Sequence, residues 1–197
     1  MKIVHNIFNQ IISLENLFLA WKEFRRGKRS KLDVQEFERN LEDNLFNLHL
    51  SLKNQTYQHS DYTSFYITDP KLRLIHKARV CDRIVHHAVY LLLYPIFDKS
   101  FTFDSYSCRI QKGTHKAVYR LDGFTKKVSQ NHFKPCFALK CDIKKFFASI
   151  NQTVLINQIK QNIKDQDAMW LIQNIISSFK SAERESLLGK LDFRSEI

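Results

Sequence analysis

Glycine and proline are scarce in this chain, with 4 Gly and 3 Pro among 197 residues. So few turn-formers disfavour an all-β fold and a disordered chain alike. Cysteine is also sparse. Cys81, Cys108, Cys136 and Cys141 form no CxxC pair, and a chain this long builds a core without disulfide staples. Free thiols in a reducing, cytoplasmic setting are the expectation, and zinc-ligand spacing is lacking. Long hydrophobic runs are missing too. The longest, Ala88 to Phe97, falls far short of a membrane span. The first twenty residues are broken by Asn6, Asn9, Gln10, Glu15 and Asn16, which removes the apolar stretch of a signal peptide. No membrane partner is expected.

What the chain does have is apolar surface and positive charge. Hydrophobic residues make up 44%, with 16 Phe, enough for one ordinary domain with a core. Lys and Arg number 31 against 20 acidic residues, a formal net of +11. An excess of this size suits a polyanion, because each phosphate contact releases condensed counterions. The plainer alternative is a solvated basic surface.

Hydrophobic spacing sets out the elements. Residues 6–25 read as a helix through Ile7, Ile11, Leu14, Leu17, Phe18 and Trp21. The basic connector EFRRGKRSK follows, with Gly27 as the helix stop. Asp33 and Glu36 fit a capping box for a second helix, striped by Phe37, Leu41, Leu45, Leu48 and Leu52. Alternation around Phe65, Ile67, Leu72 and Leu74 predicts two short strands, and Asp69-Pro70 a turn between them. Residues 82–97 predict a helix buried on nearly all sides toward its end. Residues 114–130 predict another, capped by Thr114. CFALKCD (136–142) reads as a strand buried on both faces and ending at an acid. Two more helices are expected at 151–163 and 166–180.

The segment LKCDIKKFFASI (139–150) bears most on chemistry. An Asp at the end of a buried strand is costly unless a cation neutralises it or it caps the next turn. Adjacent His86 and His87 point about 100° apart on a helix and cannot easily share one ion. They read as packing or polar contacts. Ser149 has no evident base.

Three segments together resemble reverse transcriptases. LKCDIKKFFASI is similar to the first catalytic motif of that family, Asp-Ile-x-x-Phe-Phe-x-x-Ile. YITDPKLRLIHKARVCDRIVHHAVYLLLYPIFD (66–98) resembles the fingers motif, and FDSYSCRIQKGTHKAV (103–118) resembles the Ser-Tyr-x-x-Arg-x-x-x-Gly-Thr-His block. They stand in the family's order and at its approximate spacing, over roughly residues 10–180. The wording is closest to bacterial retroelement enzymes, those of diversity-generating retroelements and, more distantly, group II introns.

The resemblance implies an α/β chain of the α+β kind with a right-hand polymerase fold. It divides the chain into an N-terminal helical segment (1–60), a fingers region (61–135) and the start of a palm (136–197). It implies an RNA-directed DNA polymerase that adds dNTPs to a DNA primer on an RNA template by two-metal phosphoryl transfer. Mg²⁺, or alternatively Mn²⁺, would be held by hard oxygen ligands. Asp142 matches the ligand that bridges both ions, and the Ile143 backbone carbonyl a second ligand. Backbone N–H groups of Lys145 and Phe146 would face the triphosphate. Phe147 matches the steric gate against the 2′-hydroxyl. Arg73, with Lys71 beside it, matches the fingers cation on the triphosphate. Arg79, Arg83, Arg109 and Lys112 are candidate template or primer contacts, although Arg79 and Arg83 have Asp82 and Asp98 as alternative partners. His115 in the Gly-Thr-His block is expected to be structural. An accessory retroelement protein is a further candidate partner.

Departures from the pattern are also plain. Ala148 stands where the family places Asp, and Gln152 near its His. No Asp-Asp pair occurs anywhere in the chain, and the Gly-rich segment and thumb that would follow are not recognisable. The expectation is a fragment or decayed polymerase that is inactive alone. The rival is a non-catalytic RNA-binding retroelement remnant.

Overall fold

A computed structural model of the chain describes residues 3–143 and 146–179. Helices dominate, with one small antiparallel sheet, so the class is α+β. In chain order the elements are α1 (Phe8–Ile12), α2 (Leu14–Phe24), α3 (Leu32–Arg39), α4 (Leu41–Lys53), β1 (Thr63–Thr68), β2 (Leu72–Lys77) and α5 (Val80–Phe97). A 3-10 turn at Asp98–Ser100 leads to α6 (Thr114–Val128), α7 (Phe146–Ser149), α8 (Gln152–Asn162) and α9 (Gln166–Ser178). The described residues fall into two compact units, 3–94 with 147–179, and 95–143 with Phe146.

The core lies in the first unit. Ile11, Leu17, Phe24, Leu45, Leu52, Ile84, Val85 and Leu171 are fully buried there, contributed by α1, α2, α4, α5 and α9. The single helix expected at 6–25 is two. Ser13 turns extended (ψ 143°), and its hydroxyl accepts from the Asn16 amide as an N-cap for α2. Buried Asn16 then donates from its side chain to the carbonyls of Ile11 and Ala88. The break therefore leaves its polar groups satisfied and ties α1 to α5.

The stripe from Phe37 to Leu52 is likewise two helices, interrupted at Asn40 (φ −122°, ψ 44°). Asp33 does not cap. The N-cap position of α3 is Lys31, and Asp33 sits in the first turn, where its charge suits the helix dipole. Nor does Gly27 stop α2, which ends three residues earlier at Phe24. Gly27 takes the left-handed conformation (φ +71°) in the turn beyond. Gly113 (φ +110°), not Thr114, occupies the N-cap position of α6.

The hairpin forms as the alternation predicts. Thr63 pairs with Lys77 and Thr68 with Leu72, closing over Asp69-Pro70-Lys71. The adjoining α5 is buried only through its first half, at Val80, Asp82, Ile84, Val85, Ala88 and Val89. From Tyr90 on, its side chains are exposed or half-buried, so apolar composition overstated its burial. The strand expected at 136–142 is absent. Those residues are irregular and exposed, with Phe137 97% and Leu139 92% accessible. A strand exists only through pairing, and the one sheet among the described residues consists of β1 and β2.

Candidate nucleic-acid interface

The hairpin is anchored at its base and open at its tip. Lys77, at the end of β2, forms an ion pair with Asp33 at 2.7 Å, and Arg83 of α5 reaches the same carboxylate oxygen at 2.5 Å. One carboxylate thus joins α3, β2 and α5. Burial raises the Asp33 pKa, but the hydrogen bonds from Lys77 and Arg83 outweigh it and hold the group below the usual carboxylate range. Ser64 and His76 bond across the strands at 2.8 Å. Beyond these ties, Lys71 in the turn and Arg73, paired in register with Ile67, are exposed. Neither makes an ion pair with a described residue. Two cations are therefore carried on the hairpin and left to solvent, an arrangement suited to phosphate oxygens.

Behind the hairpin lies a polar layer, buried at Tyr57 and Asp82 and half-buried elsewhere, that the sequence pattern did not reveal. The Tyr57 hydroxyl donates to Oδ1 of the fully buried Asp82 at 2.7 Å. Burial, and next the Asp82 carboxylate, push the Tyr57 pKa upward. The ring nitrogens of His59 and His86 meet at 3.0 Å with their rings stacked, and Tyr62 also stacks on His59. Burial, followed by the His59 charge, lowers the pKa of His86 to about 4. Asn174 of α9 accepts from the His59 amide and donates to the Tyr57 carbonyl. The only signal in the sequence was polar residues on otherwise apolar faces. The expectation of a polar contact for His86 agrees with this arrangement, and its partner is His59, not His87.

The other candidate contacts are more occupied. Arg83 is held by Asp33 and lies over the Phe24 ring at 4.7 Å. Its partner is thus neither Asp82 nor Asp98. Arg79 is exposed. In the second unit Arg109 bonds Asp98 at 2.7 Å, donates to the carbonyls of Asp98, Thr102 and Ser105, and is 11% exposed. Lys112 donates to the Phe103 carbonyl and sits over the rings of Phe103 and Tyr106. Both hold the 98–112 loop together, so their donors are engaged within it.

Asp142 and Ile143 are exposed and lie outside any strand. Phe146 and Phe147 open the short α7, with Phe147 83% exposed. Lys145 lies outside the described residues. A two-ion phosphoryl-transfer centre takes several carboxylates. Among the described residues no group of three or more His, Cys, Asp or Glu is placed to hold a metal, so the residues around Asp142 do not by themselves fit such a centre.

No model of a known protein family matches the chain, and no curated protein matches it. Among the described residues, no helix is long and apolar enough to cross a membrane.

Proposed function

We propose that this chain is a nucleic-acid-binding part of an RNA-directed DNA polymerase of the bacterial retroelement kind. Its partners would be an RNA template with a DNA primer, and dNTPs. The observation that carries the reading is the ordered set of three reverse-transcriptase-like segments, the fingers-like one of which opens on a hairpin with exposed cations at Lys71 and Arg73. The net charge of +11 supports a polyanionic partner. In this reading Lys71 and Arg73 contact triphosphate or backbone phosphates, Asp142 is a metal-ligand carboxylate and Phe147 guards the sugar.

A second reading, a non-catalytic RNA-binding protein, is favoured by the lack of any Asp-Asp pair in the sequence. Both readings require RNA binding. Anisotropy titrations with RNA and with an RNA–DNA hybrid are expected to show binding that weakens steeply with salt. No affinity at low salt would sink both. If binding holds, a cross-linkable dNTP that labels the wild-type hairpin but not the Lys71→Gln/Arg73→Gln variant favours the polymerase reading.

A further inference from the structure

The run from Lys22 to Lys31 contains six cations, Lys22, Arg25, Arg26, Lys28, Arg29 and Lys31, against the single acid Glu23. From sequence it reads as a connector. In the fold it spans the last residues of α2 and the turn that leads to α3, and its cations divide into two groups. Arg25 is consumed by an ion pair with Glu38, and Lys28 donates to the Phe24 carbonyl at 2.8 Å while lying over that ring. Lys22, Arg26, Arg29 and Lys31 are exposed. Arg26 has only a marginal contact with Glu23 at 4.0 Å. The side chains of Lys22, Arg29 and Lys31 make no hydrogen bond or ion pair with described residues.

We propose that this turn is a second phosphate-binding surface, one that grips the backbone of an RNA strand independently of the hairpin tip. The inference rests on the nucleic-acid reading above and goes beyond it by placing the main electrostatic grip on the α2–α3 turn. Arg109 and Lys112, expected from sequence to serve as backbone contacts, are engaged within their own loop.

Shape and chemistry support the assignment. Lys22, Glu23, Arg25, Arg26, Gly27 and Arg29 line an open cleft of about 570 Å³. Gly27 has no atom near the position a side chain would take, and its left-handed backbone bends the turn. A phosphate can therefore approach the backbone with cations on either side. Arginine forks match phosphate oxygens in pairs. A lipid surface fits less well, because interfacial segments insert apolar side chains beside their cations. Here the one apolar residue of the run, Phe24, is 1% exposed, and the exposed apolar side chains, Leu19 and Leu32, lie outside it, one beyond each end.

The test uses the full chain and a fluorescein-labelled single-stranded RNA. The wild type is compared with Lys22→Gln/Arg26→Gln/Arg29→Gln/Lys31→Gln, with the charge-keeping Arg26→Lys/Arg29→Lys, and with Lys71→Gln/Arg73→Gln. All four side chains, Lys22 at the end of α2 and the other three beyond it, are exposed, so circular dichroism should be unchanged. The neutral loop variant should bind about tenfold more weakly, or weaker still, at moderate salt, and its log–log salt slope should flatten by roughly 0.7 for each phosphate it no longer neutralises. The charge-keeping variant should retain the wild-type slope even if the quadruple substitution proves destabilising. Wild-type binding with an unchanged slope in the neutral variant overturns this proposal and leaves the nucleic-acid reading standing. No wild-type binding at low salt removes that reading and this proposal together. Loop-dependent binding to phosphatidylserine vesicles, with RNA affinity untouched, assigns the turn to a lipid surface and overturns the proposal as well.

Discussion

At the scale of single residues, the polar layer behind the hairpin carries the sharpest consequences. Tyr57 gives its only side-chain proton to Asp82, whose other oxygen has no partner among the described residues. Tyr57→Phe would leave a buried carboxylate without its donor. The expected cost is about 1–3 kcal/mol, read as a lower urea midpoint with an unchanged slope. His86 makes a pH prediction. Its pKa falls from 6.5 to about 4 on folding because burial disfavours the charged ring. Between those values the unfolded chain binds more protons than the folded one, so stability declines as pH drops from 6.5 to about 4. Above that window the group contributes no pH dependence, and below it the decline is complete. His87 shifts in the same direction, mainly by burial. Urea unfolding at about pH 7 and about pH 5 should show the decline, and His86→Gln should make the difference smaller. An equal decline in the variant would assign the acid sensitivity elsewhere.

Elements were legible wherever local pattern decides structure. Period-2 alternation around Phe65–Leu74 located the hairpin and its Asp69-Pro70 turn, and α8 and α9 fell where apolar spacing put them. Helix breaks were not legible. Ser13 and Asn40 interrupt stripes that continue smoothly in sequence, because the apolar face is kept across each break. Asp33 looks like a cap from its spacing with Glu36, whereas its partners Lys77 and Arg83 lie 44 and 50 positions away. No local rule reaches that far. The tether has a measurable weight. Asp33→Asn keeps the shape but removes the charge that holds both cations. Because the group is partly exposed, the destabilisation should be about 1–2 kcal/mol, read by thermal or urea unfolding. The segment 136–142 illustrates the opposite failure. Its apolar content reads as a buried strand, yet Phe137 and Leu139, like Phe133 just before it, are each at least 90% exposed. Limited chymotrypsin digestion should therefore cut here well before reaching buried Phe8 or Phe24. First cuts within α1 or α2 would contradict the described exposure.

At the scale of the whole molecule, Asp142 belongs to no group of three or more metal-ligating side chains among the described residues. The resemblance of 139–150 to a polymerase motif supplies one Asp, and the chain contains no Asp-Asp pair that would match the second motif. Glu183 and Glu185 lie outside the described residues and cannot be credited to the site. Transition-state charge in phosphoryl transfer is stabilised mostly by the ions and their ligands, so a ligand set this incomplete should cost several powers of ten in rate. The 197-residue chain is therefore expected to bind primed RNA, in the salt-dependent way its +11 charge implies, but not to extend the primer. Primer extension with Mg²⁺ or Mn²⁺ checks this, using the purified chain beside Asp142→Asn. Extension by the unmodified chain that disappears in Asp142→Asn would show that another acidic group completes the centre. Binding without extension, unchanged by Asp142→Asn, is the expected outcome. If a second polypeptide bearing an Asp-Asp motif then restores extension, Asp142→Asn should abolish it, which would assign Asp142 a catalytic role and separate the polymerase reading from that of a purely RNA-binding protein.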